Sequence, residues 1–311
     1  MWSVDGFLRY QASFDAHWGQ AYFAGNQHIP ALAIVAYLSI IVYAGPRYMS
    51  TRPPLRLVGV SRAWNLSLAT FSACGVAACV PTLVRHLATR GFHYSVCADC
   101  YELAGTGAPA LWAVLFCLSK LLELLDTALL VLKKRPLLLL HYFHHSSVIA
   151  FAWAAWVYHT PLALWYGAMN FSVHAVMYSY FFATSFDRRV LRVAPLITAL
   201  QLSQFGMGTL VNGWAAWAYY LSPHGCAVHP HILYLGALMY IVYGGLFANL
   251  FLDRYMRRSP KARCGARAVG GGGAGGGVWA GKRVGSSAEE ASGDPLGFGG
   301  RGDALASIKL V

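Results

Sequence analysis

Seven apolar segments alternate with polar connections along the chain, at about 29 to 45, 64 to 84, 109 to 132, 137 to 157, 162 to 184, 194 to 221 and 231 to 252. Each is near the ~20 residues an α-helix needs to cross a hydrocarbon core of roughly 30 Å. The pattern predicts an all-α polytopic membrane protein with seven transmembrane helices. Residues 1–28 are mixed polar and aromatic, without a basic start and apolar core, so the first apolar segment is expected to act as its own targeting anchor. From about Arg267 the character changes: Gly270 to Gly277 is almost all Gly, with Ser, Ala and scattered charges following. Such a stretch cannot bury a core and reads as a disordered tail. The expected division is a lumenal N-terminal segment 1–28, a transmembrane domain 29–258 and a basic, then Gly-rich cytosolic tail 259–311.

Composition agrees and adds an orientation. With 57% hydrophobic and 12% charged residues and a mean hydropathy of +0.46, the 311-residue chain is too apolar for a soluble domain of its size. A net charge of +12 first suggests nucleic acid, but a cytosolic membrane face explains it better. Arg47, Arg52, Arg56 and Arg62 follow the first apolar segment, Lys133, Lys134 and Arg135 the third, Arg188, Arg189 and Arg192 the fifth, and Arg254, Arg257, Arg258, Lys261, Arg263 and Arg267 the seventh. The alternate loops carry mainly Arg9 and Arg90. This asymmetry places the N-terminus lumenal and the C-terminus cytosolic. Cys97, Cys100 and Cys226 then lie on the oxidising side, where Cys97 with Cys226 is the preferred pairing, Cys100 with Cys226 the rival, and free thiols the third outcome. Sequons at Asn65 and Asn170 fall at a cytosolic helix end and within a span, so both are expected to be silent. The tail's Arg301-Gly302-Asp303 reads as chance, and Lys309 as a weak lysine-based retrieval signal.

Polar residues inside the apolar segments carry the candidate chemistry. Lys120, Glu123 and Asp126 on one lipid-facing helix would cost roughly 8 to 10 kcal/mol, so they must face a bundle interior or a wet cavity. Steps of three keep them on one face. His141, His144 and His145 fall on one face of the next helix, with Tyr142 and Phe143 turned away. A single such His is usually an interfacial hydrogen-bonding group, but three together point to base, nucleophile or ligand chemistry. Asn170 and His174, four apart, share a face with Met177 and Tyr178 nearby, and Thr198, Gln201, Gln204 and Asn212 mark the sixth segment. Polar stripes on several helices imply a shared polar chamber within an apolar bundle.

Lys120-x-x-Glu123-x-x-Asp126-Thr127, His141-x-x-His144-His145, Asn170-x-x-x-His174-x-x-Met177-Tyr178-x-Tyr180 and Thr198-x-x-Gln201-x-x-Gln204 resemble, in order, the four motif blocks of the ELO family of very-long-chain fatty acid elongases. The likeness covers about residues 30 to 258. Phe143 and Phe181 stand where many members have Tyr, and Pro136 stands where polyunsaturate-preferring members have Gln. The resemblance therefore leans towards the branch using saturated and monounsaturated chains.

The resemblance implies six of the seven helices in an inverted-repeat barrel around a substrate tunnel. It implies an endoplasmic reticulum enzyme joining a long-chain acyl-CoA to malonyl-CoA, with loss of carbon dioxide and CoA, to give a 3-oxoacyl-CoA two carbons longer. No cofactor or metal is implied. His144 would take the acyl group as an acyl-imidazole, and His141, His145 and His174 would orient substrate and exchange protons. Lys120, Glu123, Asp126, Asn170, Met177, Tyr178, Gln201 and Gln204 would support them. Implied partners are membrane lipid, a second copy of the chain, and the reductase and dehydratase acting next, with no nucleic acid. One rival is a di-iron desaturase or hydroxylase, which also uses His-x-x-His-His but needs about eight His ligands from several boxes. The other is a transporter, which predicts helices broken near mid-membrane.

Overall fold

The computed structural model describes residues 3–252. The basic run from Arg254 to Arg267 and the expected tail 259–311, with Arg301-Gly302-Asp303 and Lys309, lie outside the described residues. The apolar pattern becomes helix throughout. Two short helices, α1 (Val4–Ala12) and α2 (Gly19–Gly25), precede α3 (His28–Ala36), which continues through a π-helical stretch, Tyr37–Ala44, into α4 (Gly45–Ser50). Then come α5 (Val58–Cys97), α6 (Cys100–Ala104), α7 (Gly107–Leu122), α8 (Leu124–Leu132), α9 (Leu139–Val157), α10 (Ala163–Thr184), a 3₁₀ turn at Arg188–Val193, α11 (Ala194–Leu221) and α12 (Pro230–Phe251).

Among the described residues, three helices are long and apolar enough to cross a membrane by length and composition: His28–Ser50, Val58–Cys97 and Pro230–Asn249. The other four apolar segments are also helical, and they are the four that carry the intramembrane polar residues. The segment read as one span at 109 to 132 is two helices with Glu123 between them. Glu123 stays in the helical region, but Asp126 N–H bonds back to its carbonyl at 3.0 Å, a three-residue step that tightens the turn.

Helix contacts close a ring. α5 packs on α7, α7 on α9, α9 on α12, α12 on α11, α11 on α10, and α10 on α5 in the most extensive contact of all. Within it the first three helices in chain order are neighbours, as are the last three. Close approach depends on small residues: a Cβ on Gly75 would meet the Phe171 ring at 2.5 Å, and one on Gly208 the Tyr240 ring at 2.2 Å. The main core, with Cys79, Phe171, Phe205, Tyr243 and Phe247 among its members, lies inside this ring. α3 lies outside, against α9. Its Leu32 and Val35, and Ile40 of the π-helical stretch, remain exposed, as suits a lipid-facing surface.

A disulfide between Cys97 and Cys226 ties the end of α5 to the connection between α11 and α12, while Cys100 is a free thiol. On the same end of the ring the N-terminal segment docks: Ala16 N–H bonds to the Gly105 carbonyl at 3.0 Å and the Trp153 indole to the Phe23 carbonyl at 2.8 Å.

Candidate active site

The spacing of α7 and α8 turns three ionisable side chains inward, and α10 supplies partners. Lys120 Nζ donates to Glu123 Oε1 at 2.7 Å and to Asn170 Oδ1 at 2.9 Å. Asn170 Nδ2 lies 3.1 Å from His174 Nε2, the next turn along α10. Ser119 Oγ donates to Glu123 Oε1 at 3.3 Å. One continuous network thus runs from α7 to His174. Asp126, one turn further on, accepts from Tyr178 OH at 2.7 Å and from the Trp64 indole of α5 at 2.9 Å. Lys120, Glu123, Asp126 and His174 are 2% to 4% exposed, so these charges are compensated by protein groups rather than by water.

The histidines of α9 do three different things. His141 Nε2 shares a hydrogen bond with Thr127 Oγ1 at 2.8 Å, and Thr127 in turn with Tyr37 OH at 2.8 Å. His145 packs between its neighbours, its ring 4.5 Å from that of His141 and 5.6 Å from that of His144. Among the described residues no group accepts or donates at the buried Nδ1 of either His144 or His145. His144 lines the wall of an apolar cavity. Phe143, turned away, is 37% exposed.

That cavity follows one face of α9. Its wall takes His144, Val148, Phe151, Ala152, Ala155 and then His159 beyond the helix end, the i, i+4, i+7 rhythm of a single stripe. From 144 to 159 the rise is about 22 Å at 1.5 Å per residue. His144, Asn170 and Gln204 line it towards one end, Tyr101, His159 and Ala16 towards the other, and Phe116, Phe171 and Tyr240 contribute to the wall. Its empty space, open end included, is about 1180 Å³. The arrangement offers a long apolar slot with an imidazole, an amide and a buried ammonium gathered at one end.

Of the sequence-derived candidates, Lys120, Glu123, Asn170 and His174 form one network, with Asp126 and Tyr178 adjoining it. Met177 Sδ accepts from Gln201 Nε2 at 3.1 Å, linking α10 to α11. His141 and His145 are buried and are not among the residues that line this cavity. The sequence reading missed Tyr37, Trp64, Ser147 and Tyr243, whose partners lie on distant helices. The sequons at Asn65 and Asn170 are both buried. Among the described residues no group of three His, Cys, Asp or Glu is arranged to hold a metal ion.

Comparison with known proteins gives consistent matches. The family model described as ELO: GNS1/SUR4 family matches residues 22–263. A Trypanosoma cruzi protein named fatty acid elongase 3 is 33% identical over 283 residues, 83% of this chain and 94% of the relative. A second T. cruzi protein, very long chain fatty acid elongase 4, is 36% identical over 241 residues, 77% of this chain and 84% of the relative. Very long chain fatty acid elongase 6 of Drosophila melanogaster is 36% identical over 221 residues, 70% and 69% of the two chains.

Proposed function

The chain belongs to the ELO (GNS1/SUR4) family, and from that membership we infer that it is a condensing enzyme of fatty acid elongation, a very-long-chain 3-oxoacyl-CoA synthase. The finer reading we propose takes long-chain acyl-CoA and malonyl-CoA as substrates without a cofactor. It places residues 29–258 as seven transmembrane helices in the endoplasmic reticulum membrane, N-terminus lumenal and C-terminus cytosolic. The ring of α5, α7, α9, α10, α11 and α12 is then the barrel, and the cavity is the acyl tunnel.

One observation carries the proposed chemistry: His144 is the histidine of the α9 cluster that lines the apolar slot, and Asn170 of the Lys120–His174 network lines it too. Nδ1 is buried and has no hydrogen-bond partner among the described residues, so Nε2 is taken as the attacking nitrogen. Its lone pair attacks the thioester carbonyl carbon, the C–S bond breaks, and CoA leaves as the thiol with the proton that the acylated ring gives up from Nδ1. Malonyl-CoA then loses carbon dioxide as its C–C bond breaks, leaving the electron pair as an enolate. The enolate carbon attacks the acyl-imidazole, the C–N bond breaks, and the departing ring takes up one proton from solvent, which regenerates neutral His144 and releases the 3-oxoacyl-CoA two carbons longer. The Asn170 amide, oriented by the Lys120 ammonium at its oxygen, is placed to stabilise the oxyanion of each tetrahedral step. The apolar wall excludes water that would hydrolyse the acyl-imidazole or quench the enolate. His174, His141 and His145 hold this geometry and relay protons.

Purified protein in lipid, given labelled malonyl-CoA and a panel of saturated and monounsaturated acyl-CoAs, is expected to incorporate label in an acyl-dependent way. His144→Ala is expected to abolish it. Folded protein that incorporates nothing with any chain, or a His144→Ala variant with undiminished turnover, overturns the proposed chemistry.

A further inference from the structure

His144 lacks the arrangement that usually aims a catalytic imidazole, a hydrogen bond from the ring's far nitrogen to a third group. Its Nδ1 is buried, and among the described residues nothing bonds to it. The ring is bracketed instead by two others: Tyr243 of α12, with centroids 4.9 Å apart at 59°, and His145, 5.6 Å away at 80°. Tyr243 is itself 1% exposed, and its hydroxyl is tied to the α9 turn that carries His144. It hydrogen-bonds to Ser147 Oγ and lies 3.4 Å from the His144 carbonyl oxygen. Phe205 sits 6.1 Å from the Tyr243 ring, on the α11 side. Like His144, Tyr243 lines the cavity.

We propose that Tyr243 is the positioning residue of the reaction: clamped through Ser147, its ring fixes the His144 imidazole in the orientation that attacks the thioester. The proposal rests on His144 being the acyl acceptor. Packing here does what a carboxylate does in a hydrogen-bonded triad. Its site is the seam where α12 meets α9, so the two halves of the helix ring must be joined before the nucleophile is aimed. An imidazole free to rotate would bind acyl-CoA as well but reach the near-attack geometry less often, which lowers a rate and not an affinity.

The test is release of CoA from a saturated long-chain acyl-CoA without malonyl-CoA, the acyl-transfer half-reaction, by rapid quench on lipid-embedded protein. Tyr243→Phe, which keeps the ring and loses the tether, is expected to slow the first turnover about tenfold with KM for acyl-CoA within about twofold, and Tyr243→Leu, which loses the ring, about a hundredfold. Ser147→Ala, which leaves the longer bond to the His144 carbonyl, is expected to slow the first turnover by no more than Tyr243→Phe, and the double variant to be no slower than Tyr243→Phe alone, because the hydroxyl carries the whole tether. Should Tyr243→Leu fail to fold, Tyr243→Phe and Ser147→Ala decide the matter, since both nearly keep side-chain volume. First turnovers within twofold of the parent in both variants, a loss confined to KM, or effects that multiply in the double variant each overturn the proposal. His144→Ala separates this from the underlying reading: release lost there but kept in the Tyr243 variants removes the role of Tyr243 alone, while release kept in His144→Ala removes both.

Discussion

Lys120 and Glu123 form an ion pair at 2.7 Å with side chains only 2% and 4% exposed, one turn apart where α7 gives way to α8. Asn170 and Ser119 take up further hydrogen bonds, although Glu123 Oε2 is buried without a hydrogen-bond partner among the described residues. Removing one partner leaves the other buried and unpaired. Lys120→Met is therefore expected to lose about 3–5 kcal/mol of stability, whereas Lys120→Met with Glu123→Leu, which removes both charges, recovers most of it. Thermal unfolding in detergent reads this directly, and turnover is expected to stay absent in both variants. A Lys120→Met protein as stable as its parent would show that the pair contributes nothing.

The sequence exposed what is periodic and hid what is distant. Every apolar segment coincides with helix, but α5 runs from Val58 to Cys97, kinked at Gly91 where φ is 81°, although only about 64 to 84 read as apolar. Residues such as Ser61, Arg62, His86 and Arg90 are too polar for lipid yet continue the helix. The break at Glu123 left no Gly or Pro signal, because the turn tightens without leaving the helical region. α1 and α2 were read only as mixed residues, being too short to show a stripe. Steps of three and four found Lys120, Glu123, Asn170 and His174, since local spacing sets a helix face. Nothing local pairs Trp64 with Asp126, Tyr37 with Thr127 or Tyr243 with Ser147, which lie 62, 90 and 96 residues apart and meet only when the ring closes. Spacing alone left the three histidines equivalent and the resemblance singled out His144; of the three, it is the one that lines the cavity.

The Cys97–Cys226 disulfide spans 129 residues and joins the first half of the ring to the second. Closing so long a loop restricts the unfolded chain, and its loss is expected to cost about 2–5 kcal/mol. Paired replacement by Ser should lower the unfolding temperature and leave low-temperature turnover intact, because the bridge lies away from His144. Equal unfolding temperatures for the variant and the oxidised parent would count against this.

At the cavity's far end, Tyr101 OH donates to the His17 carbonyl at 3.1 Å and lies 3.2 Å from His159 Nε2, while the His17 ring stacks on Tyr101 at 4.1 Å. Partial burial lowers the His159 pKa below its ordinary 6.5, with Asp99 opposing and His17 reinforcing the shift. Asp15, held below the usual carboxylate range by hydrogen bonds from the His17 backbone and ring, stays ionised through the neutral region. With a depressed folded pKa, the stabilisation from neutral His159 is complete above 6.5 and is lost as pH falls through the lowered value. Protection from hydrogen exchange in residues 12–25, taken relative to the intrinsic rate at each pH, is expected to fall on acidification over that window, and His159→Gln to remove most of the dependence. An unchanged pH profile in the variant would assign the effect to another group.

Gly167 lines the cavity, is buried, and has nothing within 4 Å of the position a Cβ would take. At Gly75 and Gly208 an added Cβ collides; here it projects into open space. Replacing Gly167 by Leu should therefore fill part of the slot without forcing the helices apart, and Ala, which favours helix, should be tolerated at least as well as Gly. Long acyl chains must pass the added side chain while short ones need not. Each methylene a pocket can no longer admit is worth roughly 10–200-fold in discrimination. Gly167→Leu is thus expected to keep turnover with the shortest accepted acyl-CoAs and to lose it steeply above a threshold length, with Gly167→Ala intermediate. A chain-length panel, with thermal unfolding on the same preparations, checks both halves. If all lengths fall equally in stable protein, the cavity beside Gly167 does not hold the acyl chain.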